Sequence, residues 1–419
     1  MIIHTSDFHI GAFSGKPLHE ASLHAFEEIA EYAVNNGINH VVVSGDLFEY
    51  PRIENYRLML RFVKTLKTLR DAGVYVVATP GSHDHSPVGS SWLNLLNEAG
   101  LIHVPRYEEL DKLVLYPLRI GDYVFYGLPG FKNNLELAYL RGSRVMFKGI
   151  EELGEPIILI AHTSVEFAGY RPEDFASRYG KVAVGEEAVL KSIPGRISYV
   201  ALGHIHFPIP LFDEAEASIA YSGAPIGRDV SDLRETLLLK EKYGRSRRFL
   251  LIDLSGKRAK LRSVWRDFGV SVEEYSTTFT DIATVVNEVK AKLRDMSGDY
   301  RVLLLRVDGI GASETAKLLN EVRSLEKRFN TAVYVWSKTV DEASGIALDL
   351  GIVGDIEELE ERAIREAAKR LGLRVEPEKL MRLISLLGRR RPEGSRREDF
   401  YTTLFNELKP LLEEIVGGK

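Results

Sequence analysis

Short β-branched runs alternate with amphipathic stretches over the first 80 residues of the chain. The runs IIHTS, HVVVSG and VYVVATPG each end in small or polar residues. Two longer stretches between them, LHEASLHAFEEIAEYAVNNG and IENYRLMLRFVKTLKTLRDAG, have helical periodicity and end in Gly, which is common at helix C-termini. This βαβαβ pattern predicts a largely parallel sheet covered by helices.

Further strands follow with less regular spacing. LVLYPLRIGDYVFYGLPG has the pattern of a hairpin, and PIILIAH and ISYVALGH are apolar runs typical of buried strands. Leu237–Leu239, Phe249–Leu254 and Lys260–Val264 predict three antiparallel strands that close this region. We therefore predict a first α/β domain over residues 1–268.

The pattern changes near Phe268. Two helical stretches, FTDIATVVNEVKAKLRD and ETAKLLNEVRSLEKRF, alternate with the strands DYRVLLLRVDG and TAVYVWSK, and predict a small α/β domain over residues 270–345. Residues 350–419 are charge-rich and helical in pattern, and the basic stretch RRRPEGSRR (389–397) separates the last two helices. A length of 419 residues is consistent with this division, because it exceeds what one ordinary core organises.

Composition narrows the possible chemistry. The chain has no cysteine, which excludes disulfides, zinc–thiolate sites and thiol catalysis. All eleven histidines lie between His4 and His206, so imidazole chemistry belongs to the first domain. No apolar run reaches the ~18 residues that a membrane span needs, and the N-terminus lacks the pattern of a signal peptide. We expect a cytoplasmic protein without membrane contact.

The net charge of −5 gives no overall basic excess. Binding to nucleic acid would therefore depend on local basic patches. The stretch KEKYGRSRR (240–248) concentrates positive charge between two predicted strands. It could bind phosphates or be a solvated hairpin tip, and the sequence leaves both alternatives open.

Five short polar motifs follow predicted apolar strands. In open α/β sheets such motifs meet, because the loops that leave the carboxyl ends of the strands converge on one crevice. A single D-x-H pair would mean little, but five motifs in this arrangement indicate a shared site. They are Asp7-Phe8-His9, Gly45-Asp46, Gly81-Ser82-His83-Asp84, His162 and Gly203-His204-Ile205-His206.

This set of carboxylates and imidazoles favours two divalent cations and the hydrolysis of phosphodiesters. Hydrolysis places negative charge on the attacking and leaving oxygens, and two cations ~3.5–4 Å apart stabilise both and activate a bridging water. One carboxylate has to bridge the ions, and Asp46 is the natural candidate. Mixed imidazole and carboxylate ligands suit Mn²⁺, Fe²⁺ or Zn²⁺, whereas oxygen ligands alone would favour Mg²⁺.

The motifs TSDFHIG, SGDLFE, PGSHD, AH and GHIH resemble the signature of the calcineurin-like metallophosphoesterases. SWLNLLNEAGL, and YSGAPIGRDVSDLRE leading into RRFLLIDL, further resemble the SbcD-type DNA double-strand-break repair nucleases, the meiotic-recombination-eleven family. The resemblance covers residues 1–265 well, 270–340 by pattern only, and the tail by analogy. It implies an α/β/β/α sandwich with a small α/β capping domain and a helical C-terminal tail.

The resemblance also implies two Mn²⁺ ions and roles for individual residues. One group of ligands is implied for each metal: Asp7, His9, Asp46 and His206 for the first, and Asp46, His162 and His204 for the second. His83 would lie off the metals and protonate the leaving 3′-oxygen, and Asp84 would orient His83 or support its charge.

One position departs from the family pattern. Ser82 stands where the family usually has Asn, whose side-chain oxygen ligates the second metal. The Ser hydroxyl is one bond nearer the backbone and does not reach as far. The difference predicts a water-bridged contact, a shifted loop or a weaker second metal site, and the first and third are favoured.

Two apolar stripes in the tail indicate a partner. Amphipathic helices without a core of their own need a surface on which to lie. The stripes are Leu380, Leu383, Ile384 and Leu387, and Phe400, Leu404, Leu408 and Leu411. The resemblance implies that they bind the coiled-coil base of an SbcC-type ABC ATPase of the Rad-fifty family. Packing on the capping domain is the alternative.

Two helices of the first domain carry apolar residues that allow two explanations. Leu58 and Phe62 lie in one helix and Leu93 and Leu96 in the next, at helical spacing. They could pack on the sheet of their own chain. The resemblance implies instead that these helices meet a second copy in a four-helix homodimer interface.

The function that the resemblance implies is that of a Mn²⁺-dependent 3′–5′ exonuclease and single-strand endonuclease. It would process DNA double-strand-break ends together with the ATPase. Two alternatives stay open: a phosphodiesterase acting on small nucleotides, and a catalytically weakened dimeric scaffold that binds DNA ends. The capping domain and the tail argue against the first alternative, because a small substrate requires neither.

Overall fold

The computed structural model describes residues 1–53, 55–85, 91–168, 184–185, 189, 191–340, 347–350, 405 and 408–409. The chain divides into two compact units, Met1–Leu348 and Asp349–Lys419. Apart from Leu408, the apolar stripes predicted for the tail fall outside the described residues, so the tail helices stay predictions. In the described part of the chain, no helix is long and apolar enough to cross a membrane.

Strands and helices alternate at the start of the chain, as the pattern predicted. In chain order the described strands are β1 (Ile2–Thr5), β2 (His40–Ser44), β3 (Tyr75–Thr79), β4 (Tyr107–Glu109), β5 (Leu113–Leu115), β6 (Leu118–Ile120), β7 (Tyr123–Leu128), β8 (Val145–Phe147), β9 (Ile157–His162), β10 (Val165–Glu166), β11 (Val184–Gly185), β12 (Ile197–Gly203), β13 (Glu214–Glu216), β14 (Ile219–Tyr221), β15 (Arg247–Asp253), β16 (Lys260–Arg266), β17 (Val270–Thr278), β18 (Tyr300–Asp308), β19 (Thr331–Val340) and β20 (Ala347–Leu350). The described α-helices are α1 (Ala21–Asn35), α2 (Tyr56–Asp71), α3 (Trp92–Glu98), α4 (Leu135–Arg141), α5 (Val230–Tyr243), α6 (Ile282–Asp295) and α7 (Ala312–Phe329). Two 3-10 helices span Lys132–Asn134 and Ile150–Glu152.

Two sheets face each other in the first domain. Their strand orders are β13-β16-β15-β1-β2-β3 and β14-β12-β9-β7-β6. Within the first sheet β1, β2 and β3 run parallel, and within the second β7, β9 and β12 do. An apolar core fills the space between the sheets, with Val42 and Leu250 from the first sheet and Phe125 and Ile160 from the second.

Helices cover the outer face of each sheet. Tyr32 of α1 contacts Phe249 of β15 with ring centroids 5.0 Å apart, and α1 and α2 meet through Phe26 and Phe62. On the other side, a second core joins Leu137 and Leu140 of α4 and Leu239 of α5 to the second sheet. The four layers form the predicted α/β/β/α sandwich, and burial of both faces of both sheets accounts for the continuous apolar runs in their strands.

One predicted strand was wrong, because Leu237–Leu239 lies inside helix α5. Asp229 caps this helix, and its side chain and that of Asp232 form a reciprocal capping box. Gly244 ends the helix in the left-handed conformation, and its N–H donates to the carbonyl of Lys240, while the N–H of Arg245 donates to that of Leu239. These end signals outweigh the short apolar run, which is compatible with either structure.

The basic stretch 240–248 does not form an exposed loop. Its first four residues end helix α5, and Arg247 and Arg248 are each only 1% exposed in β15. The Arg247 guanidinium donates to the carbonyls of His206 (2.7 Å) and Asp232 (2.6 Å). These two arginines stabilise the interior of the domain, so the phosphate-binding interpretation fails for them.

The unit after Phe268 is a parallel sheet with two helices. β17 pairs with β18, and β18 pairs with β19, both in parallel. Helices α6 and α7 pack on the sheet, for example through Val289 and Leu318 against Leu303. Strand β17 was not predicted, because VSVEEYSTT is half polar and only its alternate residues turn inward.

The apolar residues predicted for a dimer interface are inside the molecule. Leu58, Phe62, Leu93 and Leu96 are all at most 3% exposed. These four residues therefore fit the alternative explanation, in which they pack inside their own chain.

Candidate metal centre

The five predicted motifs leave the sandwich at the carboxyl ends of β1, β2, β3, β9 and β12. The first three strands belong to one sheet and the other two to the second. The loops meet where the parallel strands of the two sheets end. There the structure brings together Asp7, His9, Asp46, His83, His162, His204 and His206.

Two imidazoles face each other on one side of this site. Nε2 of His9 lies 3.1 Å from Nε2 of His206, and Oδ1 of Asp7 lies 3.9 Å from the same His206 atom. Oδ2 of Asp46 lies 3.7 Å from Nε2 of His9. These four residues are the group that the sequence analysis assigned to one metal.

Asp46 also faces a second pair of histidines. Its Oδ2 atom lies 3.3 Å from Nε2 of His162, and the rings of His162 and His204 have centroids 5.1 Å apart. Oδ1 of Asp7 lies 3.8 Å from Nδ1 of His162, so both carboxylates lie where the two groups meet. The Asp46 carboxylate is thus between the groups, which is the position that a bridging ligand needs.

The surroundings of His9 and His206 fit a cation between them. Nδ1 of His206 lies 2.9 Å from Oδ1 of Asp232, and Nδ1 of His9 lies 2.8 Å from Oε2 of Glu49. A carboxylate beside each Nδ1 favours a proton on that nitrogen, so each Nε2 presents a lone pair. Two lone pairs 3.1 Å apart repel each other, and a divalent cation bound to both nitrogens would replace that repulsion by coordination.

The electrostatics of the buried groups also fit a cation site. Burial raises the pKa of Asp7 to about 7, and the neighbouring Asp46 carboxylate adds to the increase. Burial disfavours the ionised form of Asp46 as well, but the His162 imidazole more than offsets this and lowers the pKa of Asp46 well below its ordinary value. Burial lowers the pKa of His204 to about 3. Burial opposes protonation of His162, but Asp46 and Asp7 raise its pKa to about 10, so the buried carboxylates favour a positive charge beside them, as a divalent cation would supply.

Residues 1–208 match the calcineurin-like phosphoesterase family. The match contains all seven residues that meet at the site. These residues form a calcineurin-like phosphoesterase domain. The α/β/β/α layers and the position of the site at the carboxyl ends of the strands agree with this assignment.

Similar proteins have been described in archaea. The chain is 27% identical over 233 residues to the DNA double-strand break repair protein Mre11 of Aeropyrum pernix. This alignment covers 53% of this chain and 52% of that protein. It is 26% identical over 229 residues to the Mre11 protein of Saccharolobus solfataricus, with 54% of each chain covered. It is 26% identical over 322 residues to the Mre11 protein of Methanosarcina mazei, and this alignment covers 72% of this chain and 46% of that protein. The chain therefore spans about half the length of these relatives.

His83 lies on the more exposed side of the phosphoesterase site. Its side chain is 24% exposed, whereas that of His206 is 5% exposed. Its backbone N–H donates to Oδ1 of Asp46 at 2.9 Å. Nδ1 donates to the Glu49 carbonyl at 2.9 Å, which leaves Nε2 as the acceptor for Nη1 of Arg228 at 2.9 Å.

The contacts of Asp84 differ from the predicted role. Its buried carboxylate accepts the backbone N–H groups of Leu47 (3.2 Å), Phe48 (3.0 Å) and Gly81 (2.9 Å). These bonds tie the loop after β2 to the loop after β3. In the part of the chain that the structure describes, the Glu49 carbonyl, and not Asp84, receives the Nδ1 proton of His83. Asp84 therefore positions the backbone on both sides of the site.

Four site residues in the phosphoesterase domain adopt the left-handed backbone conformation. The φ angles are +53° at Asp7, +47° at His9, +48° at Asp46 and +91° at His204. Residues other than Gly rarely adopt this backbone conformation, which costs on the order of 1 kcal/mol or more per residue. Sharp turns immediately after each strand direct the side chains toward one point, which an extended backbone would not allow.

Glycines allow the loops to approach each other closely. A Cβ atom at Gly45 would collide with the His162 imidazole, and one at Gly81 would collide with the Asp46 carboxylate. The motifs SGD and PGSHD include these two glycines. The close approach of the neighbouring side chains leaves no room for a Cβ atom, which is the physical reason for a glycine at each position. Gly130, which the sequence analysis did not select, makes the same kind of approach to His162.

Sequence analysis missed three residues that support the site: Glu49, Arg228 and Asp232. A signal for Asp232 was present, because D-V-S-D has the spacing of a capping box and marks the start of α5. Glu49 ends the SGDLFE motif, three residues after Asp46. Arg228 had no signal, since its contact with His83 joins positions 145 residues apart.

Ser82 is half-buried in the turn between β3 and Asp84. Its neighbour His83 places a backbone N–H on Asp46, so the turn is adjacent to the carboxylate that would bridge two cations. The weaker second metal site predicted from Ser82 stays a prediction.

Proposed function

We propose that this chain is a metal-dependent phosphodiesterase that cuts DNA at double-strand-break ends, with Mn²⁺-dependent 3′–5′ exonuclease and single-strand endonuclease activity. The observation that carries the proposal is the position of Asp46. Its Oδ2 atom lies 3.7 Å from His9 Nε2 and 3.3 Å from His162 Nε2, with a further histidine beyond each. The DNA substrate is supported by the similarity to proteins named for the repair of DNA double-strand breaks.

Two Mn²⁺ ions, when bound, would neutralise the charge of the phosphodiester and activate the attacking water. Asp46 would bridge them. The remaining ligands would be Asp7, His9 and His206 on one side, and His162 and His204 on the other.

His83 would protonate the leaving 3′-oxygen. The Glu49 carbonyl holds the Nδ1 proton, so Nε2 is the nitrogen that can face the substrate. Nε2 would take up a proton from solvent, and the imidazolium formed would pass that proton to the leaving oxygen. The His83 side chain is 24% exposed, compared with 5% for His206, so it can reach a substrate atom without leaving the site. Asp84 contributes through the backbone of the loops and not through the proton of His83.

Other parts of the chain would select the substrate and the partner. We assign the capping function to residues 270–345, which would cover one side of the DNA, and binding of an SbcC/Rad-fifty-type ATPase to residues 350–419. A homodimer would use the exposed faces of α2 and α3, where Leu60 and Leu95 are each 56% exposed. The place of action would be the nucleoid in the cytoplasm.

Cleavage of labelled DNA tests the proposal. The full chain, His83→Ala and the control His19→Ala are incubated with Mn²⁺ and with DNA hairpins, duplex ends or bis-p-nitrophenyl phosphate. We expect wild type and His19→Ala to cut DNA, and His83→Ala to bind DNA but to cut it at least about 100-fold more slowly, as for loss of a general acid.

Other outcomes would select the alternatives. Hydrolysis of the small diester without cleavage of DNA would favour a small-nucleotide phosphodiesterase. Binding of DNA ends without cleavage by wild type in Mn²⁺ would favour the scaffold. Equal cleavage by His83→Ala and wild type would refute the role given to His83.

A further inference from the structure

Arg228 lies beside the proposed proton donor of the phosphoesterase site. Its Nη1 atom is 2.9 Å from His83 Nε2, and its Nη2 atom is 3.5 Å from Oε1 of Glu49. The side chain is 23% exposed, so the guanidinium is held between the site and solvent.

The backbone of Arg228 is fixed by the group that also fixes a candidate metal ligand. Oδ2 of Asp232 accepts the Arg228 N–H at 2.7 Å, while Oδ1 lies 2.9 Å from Nδ1 of His206. Gly227, with φ of +96°, permits this turn, because a Cβ there would collide with Asp232. One carboxylate thus sets the position of Arg228 relative to the candidate metal ligands.

The contact between Arg228 and His83 cannot persist while His83 acts on a substrate. The guanidinium donates to Nε2, which is the nitrogen that would have to face the leaving oxygen. A phosphate oxygen is a stronger acceptor for a guanidinium than a neutral imidazole, since the bond is charge-assisted and can be bidentate. Entry of a phosphodiester would therefore draw Arg228 away from Nε2.

We propose that Arg228 binds the phosphodiester of the substrate, and that in the free protein it covers Nε2 of His83. This inference rests on the proposed function and adds a substrate-binding residue to it. Binding of phosphate exchanges one Arg228 contact for another, and it frees Nε2 to take up a proton from solvent and to face the leaving group. Glu49 keeps the guanidinium near the site during the exchange.

The test compares Arg228→Gln and Arg228→Lys with wild type and with Arg262→Gln, which removes the same charge at an exposed position of β16. Binding of a fluorescein-labelled single-stranded oligonucleotide in EDTA is measured over a range of NaCl concentrations. We expect Arg228→Gln to bind several-fold more weakly, with a log K versus log [NaCl] slope reduced by roughly 0.7, the value for one phosphate contact on a single strand. Arg228→Lys should keep the slope and lose part of the affinity.

A second measurement separates substrate binding from a structural role. In ¹⁵N-histidine-labelled protein, assigned by comparison with His83→Gln, inorganic phosphate should shift the His83 Nε2 resonance of wild type at constant ionic strength. The resonance of Arg228→Gln should be shifted already without phosphate and should not respond to it. With Mn²⁺, Arg228→Gln should raise KM for DNA more than it lowers kcat.

The outcomes distinguish this inference from the proposed function. If wild type cuts DNA and Arg228→Gln keeps the wild-type salt slope, KM and phosphate response, only the role of Arg228 is refuted. If wild type neither binds nor cuts DNA, the proposed function is refuted, and the phosphate titration still decides whether Arg228 binds a phosphate. A thermal unfolding midpoint equal to wild type shows that the variants are folded, and Arg228→Met, which also removes the charge, replaces Arg228→Gln if the latter is not.

Discussion

Oδ1 of Asp232 lies 2.9 Å from Nδ1 of His206, which connects the first turn of helix α5 to a candidate metal ligand. The same residue accepts the N–H of Arg228 and completes the capping box of the helix. A carboxylate behind a metal-binding imidazole fixes its tautomer and orientation and increases its basicity. The start of a helix and the proposed cation site are therefore one structural unit.

Asp232→Asn should weaken binding of Mn²⁺ by about 10- to 100-fold, the usual effect of losing such a carboxylate. The amide keeps the size of the side chain but removes its charge. Isothermal titration calorimetry measures the effect. Asp229→Asn is the matched control, because Asn also caps helices well and Asp229 caps α5 through the Asp232 N–H. Equal affinity of Asp232→Asn and wild type would contradict the connection between α5 and the metal site.

Ser82→Asn should bind Mn²⁺ more tightly at the weaker of two sites. The longer amide side chain can reach the cation that a Ser hydroxyl does not reach. Calorimetric titration of both proteins gives the affinities, and Ser91→Asn, a change at the N-cap of α3 where Asn is equally suitable, is the control. If Ser82→Asn gains no affinity, the idea of a weak second site is wrong.

His4 should make the protein less stable in mild acid. Burial lowers the pKa of His4 to about 3 in the folded protein, while the unfolded chain has an ordinary pKa near 6.5. Between these two values the unfolded state binds a proton that the folded state does not, so the free energy of unfolding falls as the pH falls from about 6.5 toward 3. From pH 7 to pH 5 the contribution of His4 is about 2 kcal/mol.

Urea denaturation of wild type and His4→Gln at pH 7 and pH 5 measures this contribution. His4→Gln should lose less stability between the two pH values, by about that amount. His19→Gln, at a position where the side chain is 36% exposed, is the control and should behave like wild type. An equal pH dependence in His4→Gln and wild type would show that His4 does not titrate in this way.

Lys16 should stabilise the packing of the α/β unit after Phe268 on the phosphoesterase domain. Its Nζ atom lies 2.6 Å from Oε1 of the buried Glu326 and 5.0 Å from the ring centroid of Tyr334. Lys16→Met keeps the aliphatic chain but leaves the Glu326 carboxylate without this cation. Because Lys16 is 30% exposed, solvent screens the pair, and we expect the free energy of unfolding to fall by only about 1 kcal/mol.

Urea denaturation of Lys16→Met is compared with that of Lys67→Met, which changes an exposed lysine of α2. Glu326→Gln and the double variant complete a double-mutant cycle, which isolates the interaction of the two side chains. A coupling energy of zero would mean that the ion pair contributes nothing to the stability of the packing.

Much of this protein follows from local patterns in its sequence. The alternation of β-branched runs and amphipathic stretches is a property of neighbouring residues, and it determined the parallel strands β1, β2 and β3 and helices α1 and α2. The polar motifs follow strand ends, and parallel strands share an edge, so the meeting of Asp46 with His9 was predictable. The absence of cysteine likewise limited the metal ligands to carboxylates and imidazoles.

The tertiary structure decided what depends on contacts between distant positions. Leu237–Leu239 is helical because the ends of α5 and its packing outweigh the short apolar run, and Arg247 is buried because distant carbonyls accept its donors. Glu49 and Arg228 belong to quoted motifs, SGDLFE and YSGAPIGRDVSDLRE, but only the fold brings them into contact with His83. A local pattern fixes the period and direction of an element, but hydrogen-bond partners of a buried charge are set by the fold as a whole, because only folding brings them within 3 Å.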